Sequence, residues 1–296
     1  MTRSLAGRVA SLLLVALALV LPAPAAAKVK PVYMVGLGDS LSRGVQDNGQ
    51  GTSILTDRGY NDVLYAQLRK RIPNLKLVKL GCPGESTTSY LTGKGNVVNI
   101  DCKPKGGSQR KEAEAFLNAR RRAGDLALVT LDIGNNDLSG CAKGGQIDYT
   151  CLGTGFGQIE KNLPVIVKGL RKAAGKTAPI AGATFYDPFL ALYLDPSTRG
   201  VALASASLAK DVNTKVAAAL TAGKLRIARI DEAFETYKTD STTTYNGQEV
   251  PVAVRRVCEL TWMCAQGNIH ANDAGYKLMA TTFRKALGSF SVPVPR

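Results

Sequence analysis

Residues 32–42 read Val-Tyr-Met-Val-Gly-Leu-Gly-Asp-Ser-Leu-Ser, and the reading of this stretch decides the fold. Val32 to Leu37 is a short apolar run that Gly38-Asp39 breaks at once, the pattern of a buried strand ending in a polar corner. Leu75 to Leu80, Leu126 to Ile133, Ile180 to Phe185 and Leu225 to Ile230 repeat it, each bounded by Gly, Asp or Pro. Between these runs lie segments with helical spacing: Asn61 to Ile72, Ser108 to Ala123 opening on an N-cap Ser, Gln158 to Ala174, and Ala202 to Ala222. A last helix is expected from Asn272 or Asp273 to about Leu287. Strand alternating with helix predicts an α/β domain whose central parallel sheet, of about five strands, is covered on both faces. Thr242 to Val254 carries Asn246-Gly247 between Thr/Tyr and Val-rich flanks, which predicts a hairpin beside that sheet.

Ligands of such a sheet bind beyond the carboxyl ends of its strands. Three strand ends are unusual: Gly38-Asp39-Ser40-Leu41-Ser42, Gly81-Cys82-Pro83-Gly84-Glu85-Ser86, and Gly134-Asn135-Asn136-Asp137. The one His of the chain, His270, precedes the last helix. Taken singly, each is an ordinary turn or helix entry. Taken together, they supply what ester cleavage needs: a nucleophilic hydroxyl, a base for its proton, and donors for the oxyanion. Ser40 offers the hydroxyl and His270 the imidazole. The backbone N–H groups of Ser40 and Gly84 and the amide of Asn136 can converge as three donors, and the missing Cβ of Gly84 lets substrate approach.

Composition sets the outer bounds. With 296 residues, 45% hydrophobic and 21% charged, the chain can bury a substantial core, which excludes disordered, collagen-like and coiled-coil classes. The 38 Lys+Arg against 23 Asp+Glu give a formal charge of +15. The basic residues are spread over several helices, with Arg120-Arg121-Arg122 the only tight run, so no nucleic-acid partner is expected. A single His excludes a His-rich metal site. Nucleotide motifs fail as well: Leu41 stands where the third Gly of a Gly36-x-Gly38 fingerprint belongs, and Gly175-Lys176-Thr177 follows a helix instead of a strand. The final Gly of a G-x-S-x-G elbow is also missing after Ser40.

Arg3 and Arg8, the apolar run Ser11 to Leu21, and Ala25-Ala26-Ala27 predict a secretory signal peptide over residues 1–27, cleaved after about Ala27. The run is shorter than the ~20 residues that span a bilayer. Residues 28–296 are then expected as one domain, secreted to the extracellular side. Loss of Arg3 and Arg8, with no acid removed, takes the charge from +15 to +13. Export makes six Cys a disulfide framework. Fifteen pairings exist in principle, but the residues fall into three sequence-local pairs, Cys82 with Cys102, Cys141 with Cys151, and Cys258 with Cys264.

Gly38-Asp39-Ser40-Leu41, Gly84, Gly134-x-Asn136-Asp137 and His270 resemble, in order, the four blocks of the SGNH (GDSL) hydrolases. The resemblance runs from Val32 to Leu287 and is nearest to secreted actinobacterial-type esterases and lipases with three local disulfides. It implies a flavodoxin-like three-layer αβα sandwich, ester hydrolysis through an acyl-enzyme, and no metal or organic cofactor. Ser40 is implied as nucleophile, His270 as base, and Ser40, Gly84 and Asn136 as the oxyanion hole. The family usually has Asp three residues before the His, where this chain has Gly267, with Asn268 next. A Ser40–His270 dyad is therefore expected, with a main-chain carbonyl of the Trp262–Gly267 segment, tied by Cys258–Cys264, on Nδ1.

The function expected is a secreted carboxylic ester hydrolase acting on a lipid or other acylated small molecule, as a monomer. Acyl transfer on the same fold is the alternative, requiring a site that excludes water. A non-catalytic protein binding an anionic envelope or membrane surface through its charge is the third. Acyl-chain preference is expected to depend on Arg43 to Tyr60, Gly140 to Gly157 and Thr239 to Val257, read here as loops. Trp262 is open between an acyl-pocket wall and packing against the disulfide.

Overall fold

A computed structural model describes residues 29–95, 102–143 and 146–293; the expected signal segment 1–27 lies outside the described residues. β1 (Val32–Gly38) leads into α1 (Ser40–Arg43), an antiparallel ribbon of β2 (Val45–Asp47) and β3 (Ser53–Leu55), and α2 (Tyr60–Arg69). β4 (Leu75–Lys79), α3 (Thr87–Thr92), α4 (Gln109–Ala123) and β5 (Leu126–Asp132) follow. A second ribbon pairs β6 (Ala142–Lys143) with β7 (Gln146–Ile147), before α5 (Tyr149–Ala174), β8 (Ile180–Ala183), α6 (Arg199–Ala222) and β9 (Arg226–Ala228). The last part comprises α7 (Ile230–Ala233), a ribbon of β10 (Thr242–Tyr245) and β11 (Gln248–Pro251), α8 (Val252–Leu260), α9 (Met263–Gln266) and α10 (Asp273–Leu287).

The five strands of the main sheet pair in parallel in the order β4-β1-β5-β8-β9. This is the doubly wound order in which the chain reverses direction across β1, so a crevice opens above the carboxyl ends of β1 and β5. Side-chain alternation along β1 splits the core into two layers. Val32 and Met34 pack with Leu64 and Leu68 of α2 and Met279 and Phe283 of α10. Val35 and Leu37 point the other way, to Leu117 of α4, Leu163 and Val167 of α5, and Val216 of α6. Each of these buried side chains contributes about 1.5–3 kcal/mol relative to exposure. The parallel sheet covered on both faces is thus the architecture that the alternating pattern predicts.

Local signals fix several boundaries. Ser108 caps α4 by accepting from Lys111 N at 3.3 Å, and Asn272 caps α10 by accepting from Gly275 N at 3.0 Å. Asn246-Gly247 turns the β10–β11 ribbon, which packs with α8 over a third apolar cluster containing Val250, Val254 and Leu190. α5 differs from expectation: it begins at Tyr149 and absorbs much of a stretch read as loop. Asp148 starts it by accepting from Cys151 N at 3.0 Å. Gly155 has a packing reason, since a Cβ there would run into the carbonyl of Asp137 and the side chain of Leu138. Gly155, required by close approach, therefore looked like a loop residue, as did Gly153 and Gly157, which face open space. The three sequence-local disulfides form as paired above, with Cα–Cα separations of 5.5, 5.3 and 5.1 Å, inside the usual bridging range.

Candidate active site

Ser40 is the first residue of α1, on the corner that follows β1. The corner is tight because Gly38 sits at φ 127°, where a Cβ would collide with the backbone and carboxylate of Asp132 at the end of β5. Gln109, at the start of α4, clamps the same glycine twice: Gly38 N donates to its Oε1 at 2.7 Å, and its Nε2 donates to Gly38 O at 2.8 Å. Asp39 caps α1 by accepting from Leu41 N at 3.0 Å. As the leading residue of a helix, Ser40 has an N–H with no intrahelical acceptor.

His270 reaches this corner from the segment between α9 and α10. Its Nε2 lies 2.9 Å from Ser40 Oγ. The segment is held at three points: Trp262 N donates to His270 O at 2.9 Å, Thr261 bridges Ala271, and the Tyr186 hydroxyl donates to Ile269 O at 2.7 Å. On the far side of the ring, His270 Nδ1 lies 2.6 Å from Asn268 Oδ1. This corrects the expectation of a main-chain carbonyl from Trp262 to Gly267. A two-residue spacing suffices because the chain folds tightly enough for Asn268 Oδ1 also to accept from His270 N at 3.1 Å.

The Asn268 amide is in turn oriented. Its Nδ2 donates to Asp47 Oδ2 at 2.9 Å and to Ser53 Oγ at 3.0 Å. A carboxylate can only accept, so it draws the NH2 end of the amide and leaves the carbonyl end for His270. A carbonyl acceptor places a proton on Nδ1 and leaves the Nε2 lone pair free to accept from the Ser40 hydroxyl. Asp47 also accepts from Gly49 N at 2.7 Å and Gly51 N at 3.0 Å. Burial raises its pKa, but the Asn268 and backbone hydrogen bonds outweigh that, and the carboxyl lies below its usual range. Burial pushes the His270 pKa down to about 4, against the opposing pull of the Asp47 charge. The imidazole is accordingly neutral near pH 7, the form that serves as a base.

Asn136 stands opposite, on the turn after β5. Asp137 pins that turn by accepting from Thr87 N at 2.8 Å and Thr87 Oγ1 at 2.7 Å. Asn136 Nδ2 donates to Glu85 O at 3.1 Å, which leaves the second amide hydrogen for the recess that Ser40, Asn136 and His270 wall together with Tyr186. Gly84, at φ 76°, adjoins Glu85, and its N–H has no acceptor among the described residues. Ser40, His270 and Asn136 thus meet in one recess; Gly84 is not among the residues that line it, and its link to the recess is through its neighbour Glu85, whose carbonyl Asn136 holds. Trp262 packs beside the His270 segment, its indole N–H donating to Gln46 Oε1 at 3.4 Å. Asp47, Asn268 in its orienting place, Tyr186 and Gln109 were not singled out from the sequence. Asp47 sits in an Asp-Asn-Gly turn signal, which marks a bend and says nothing of a partner 221 residues away.

Residues 37–278 match the GDSL-like Lipase/Acylhydrolase family. The chain belongs to that family. Membership makes this GDSL-like hydrolase an ester-cleaving enzyme by class. No curated protein matches it in sequence. Among solved structures it is similar to the extracellular lipase of Streptomyces rimosus, at 16% identity over 86% of this chain and 99% of that one, with a TM-score of 0.52. It is also similar to the acetylxylan esterase Axe2 of Geobacillus stearothermophilus, at 16% identity, 88% and 97% coverage and a TM-score of 0.51. The lipase/acylhydrolase of Enterococcus faecalis gives 14% identity, 88% and 98% coverage and a TM-score of 0.50. At these identities the shared property is the fold.

Proposed function

We propose that this GDSL-like hydrolase is a secreted carboxylic ester hydrolase that works through an acyl-enzyme on Ser40. The observation that carries the reading is the hydrogen-bonded line Ser40 Oγ, His270 Nε2, His270 Nδ1, Asn268 Oδ1. Ser40 Oγ attacks the ester carbonyl carbon while its proton passes to His270 Nε2. The oxyanion that forms accepts from Ser40 N–H, Gly84 N–H and the free hydrogen of the Asn136 amide. Collapse breaks the bond from the carbonyl carbon to the alkoxy oxygen, and that oxygen takes the proton from Nε2. Water then repeats the sequence on the acyl-enzyme, giving up its proton to His270 and releasing the acid.

Three disulfides support an oxidising destination for the mature chain, and the +13 charge suits residence at anionic surfaces. The test of the chemistry is hydrolysis of chromogenic acyl esters. Wild type is expected to turn them over, and Ser40→Ala to lose all activity above background while keeping its far-UV circular dichroism. Equal rates for the two proteins overturn the assignment.

A further inference from the structure

The basic residues that the sequence spreads over several helices are gathered by the fold at one end. Each of α2, α4, α5 and α6 connects parallel strands and so runs back toward their amino ends. The last four residues of these helices and the turns that follow carry three basic residues in α2, three in α4, three in α5 and one in α6, against one acid, Asp125. Arg120 pairs with that acid at 2.9 Å. Carboxylates lie at the other end: Asp39, Glu85, Asp137, Asp187 and Asp231 follow the carboxyl ends of β1, β4, β5, β8 and β9. The molecule is therefore polarised, with its catalytic recess at the acidic end and a basic pole opposite.

Three of these helix ends touch. Arg121 Nε donates to Ala173 O at 3.0 Å, and Arg171 Nη2 donates to Lys224 O at 2.9 Å, which joins the ends of α4, α5 and α6. Burial lowers the Arg171 pKa, and the Arg226 charge lowers it further. Capping of the last carbonyls accounts for Arg121 and Arg171. It does not account for Lys70, Arg122, Lys172, Lys176, Lys224 and Arg226, which are exposed and have no side-chain hydrogen bond or ion pair among the described residues. Cations gathered without partners repel one another, so an anionic array that neutralises them is attracted to the pole. The array has to be extended, because α2 lies on one face of a sheet roughly 20 Å wide and α4, α5 and α6 lie on the other. A plane of headgroups reaches all four ends, whereas a single polyanionic chain reaches only those along its path.

We propose that this basic pole docks the protein on an anionic phospholipid bilayer, with the catalytic recess turned away from it. Tyr149, the one exposed aromatic among the described residues, starts α5 at the recess end, so the pole has no aromatic anchor to insert and the attachment is electrostatic. The experiment is cosedimentation with vesicles of equimolar phosphatidylglycerol and phosphatidylcholine. The protein is expected to bind them at about 0.1 M salt, to leave them at about 1 M, and to ignore vesicles of phosphatidylcholine alone. Each neutralised cation should weaken binding roughly fivefold, so Lys172→Gln, Lys176→Gln and Arg226→Gln together should weaken it on the order of 100-fold. Lys103→Gln, Lys105→Gln and Lys111→Gln remove the same charge around the start of α4, at the recess end, and should leave binding within about threefold of wild type. Equal losses in the two triple variants overturn the pole, as does binding of long-chain polyphosphate without binding of the vesicles, or binding of neither. Vesicle-bound protein should hydrolyse soluble p-nitrophenyl butyrate at the rate of the free protein, and loss of turnover on binding overturns the orientation. That arm alone rests on the ester-hydrolase reading. If the free protein hydrolyses no ester, that reading fails, and acetylation footprinting decides the orientation: vesicles should protect Lys172 and Lys176 and leave Lys103 and Lys105 reactive, and the reverse pattern overturns it.

Discussion

The Asp47 carboxylate decides which way round the Asn268 amide sits. With Nδ2 held at 2.9 Å from Asp47 Oδ2, Oδ1 is presented to His270 Nδ1 at 2.6 Å. A neutral amide thus occupies the position next to the imidazole, and the negative charge stands one residue further back. Removal of this outer acceptor should slow the reaction without weakening substrate binding. Asp47→Asn is expected to lower kcat on the order of 10-fold to 100-fold, the range for an outer hydrogen-bond partner, with KM little changed. Asn268→Ala should cost more, about 10²-fold to 10³-fold, because the tautomer of His270 is then unspecified. A wild-type kcat in either variant refutes the relay.

Moving the charge inward supplies a sharper test. N268D alone sets two carboxylates against each other at hydrogen-bond distance and should be impaired. Adding D47N relieves the repulsion and supplies an amide donor, so the double variant should recover activity over D47N. Its acid limb should also move to higher pH than in wild type, since a carboxylate beside the ring favours the imidazolium. Additive losses in the double variant would show that the two side chains do not act through one another.

The pH profile of wild type follows from the depressed His270 pKa, about 4. Imidazole must be neutral to accept the Ser40 proton, so kcat/KM should be flat from about pH 5.5 to neutrality and fall tenfold per unit below about pH 4. Ester hydrolysis in a constant-ionic-strength buffer series reads this directly. An acid limb at the ordinary histidine value of 6.5 contradicts it.

Asp39 should leave a mark on stability. Burial raises its pKa from 3.8 to about 7, the Leu41 N–H opposes, and the Glu85 and Asp137 charges add to the rise. The folded state therefore holds a proton that the unfolded chain releases. Its contribution is fully present below pH 3.8 and is lost as pH rises through 7. Asp39→Asn, which keeps an acceptor for Leu41 N, should flatten the thermal stability profile across that window. Parallel curves for the two proteins count against the raised pKa.

The Cys141–Cys151 bridge closes a short loop, of sequence separation 10. Replacing both residues with Ser should lower stability by about 2–3 kcal/mol. Thermal melting of the two proteins checks this expectation, and an unchanged melting temperature would contradict it.

The fold was legible because β1 and its four counterparts are short apolar runs punctuated by Gly and Asp, because Ser108 caps its helix as read, and because the last helix starts where expected, with Asn272 as its cap. Local chemistry reports local structure well. The placement of Ser40, Asn136 and His270 was legible for a related reason, as each terminates or precedes a recognisable element, and the three line one recess. What stayed hidden depends on long-range placement. Asp47 meets Asn268 across the molecule, and Gly155 is a glycine for the sake of Asp137, so neither announces its role through its neighbours. The orienting group of His270 was misassigned because the choice between a carbonyl and the Asn268 side chain turns on the path of six residues between α9 and α10.

The hydrogen bond between Asp47 and Asn268 joins the first and last parts of the chain, 221 residues apart. Ser40 is made early in synthesis, but the imidazole and the amide that aligns it arrive only when the final segment has been laid down, and they align only once it docks on the β2–β3 ribbon. A chain whose last segment has not docked therefore holds Ser40 on its corner with no imidazole beside it, and on the proposed mechanism it would lack its base.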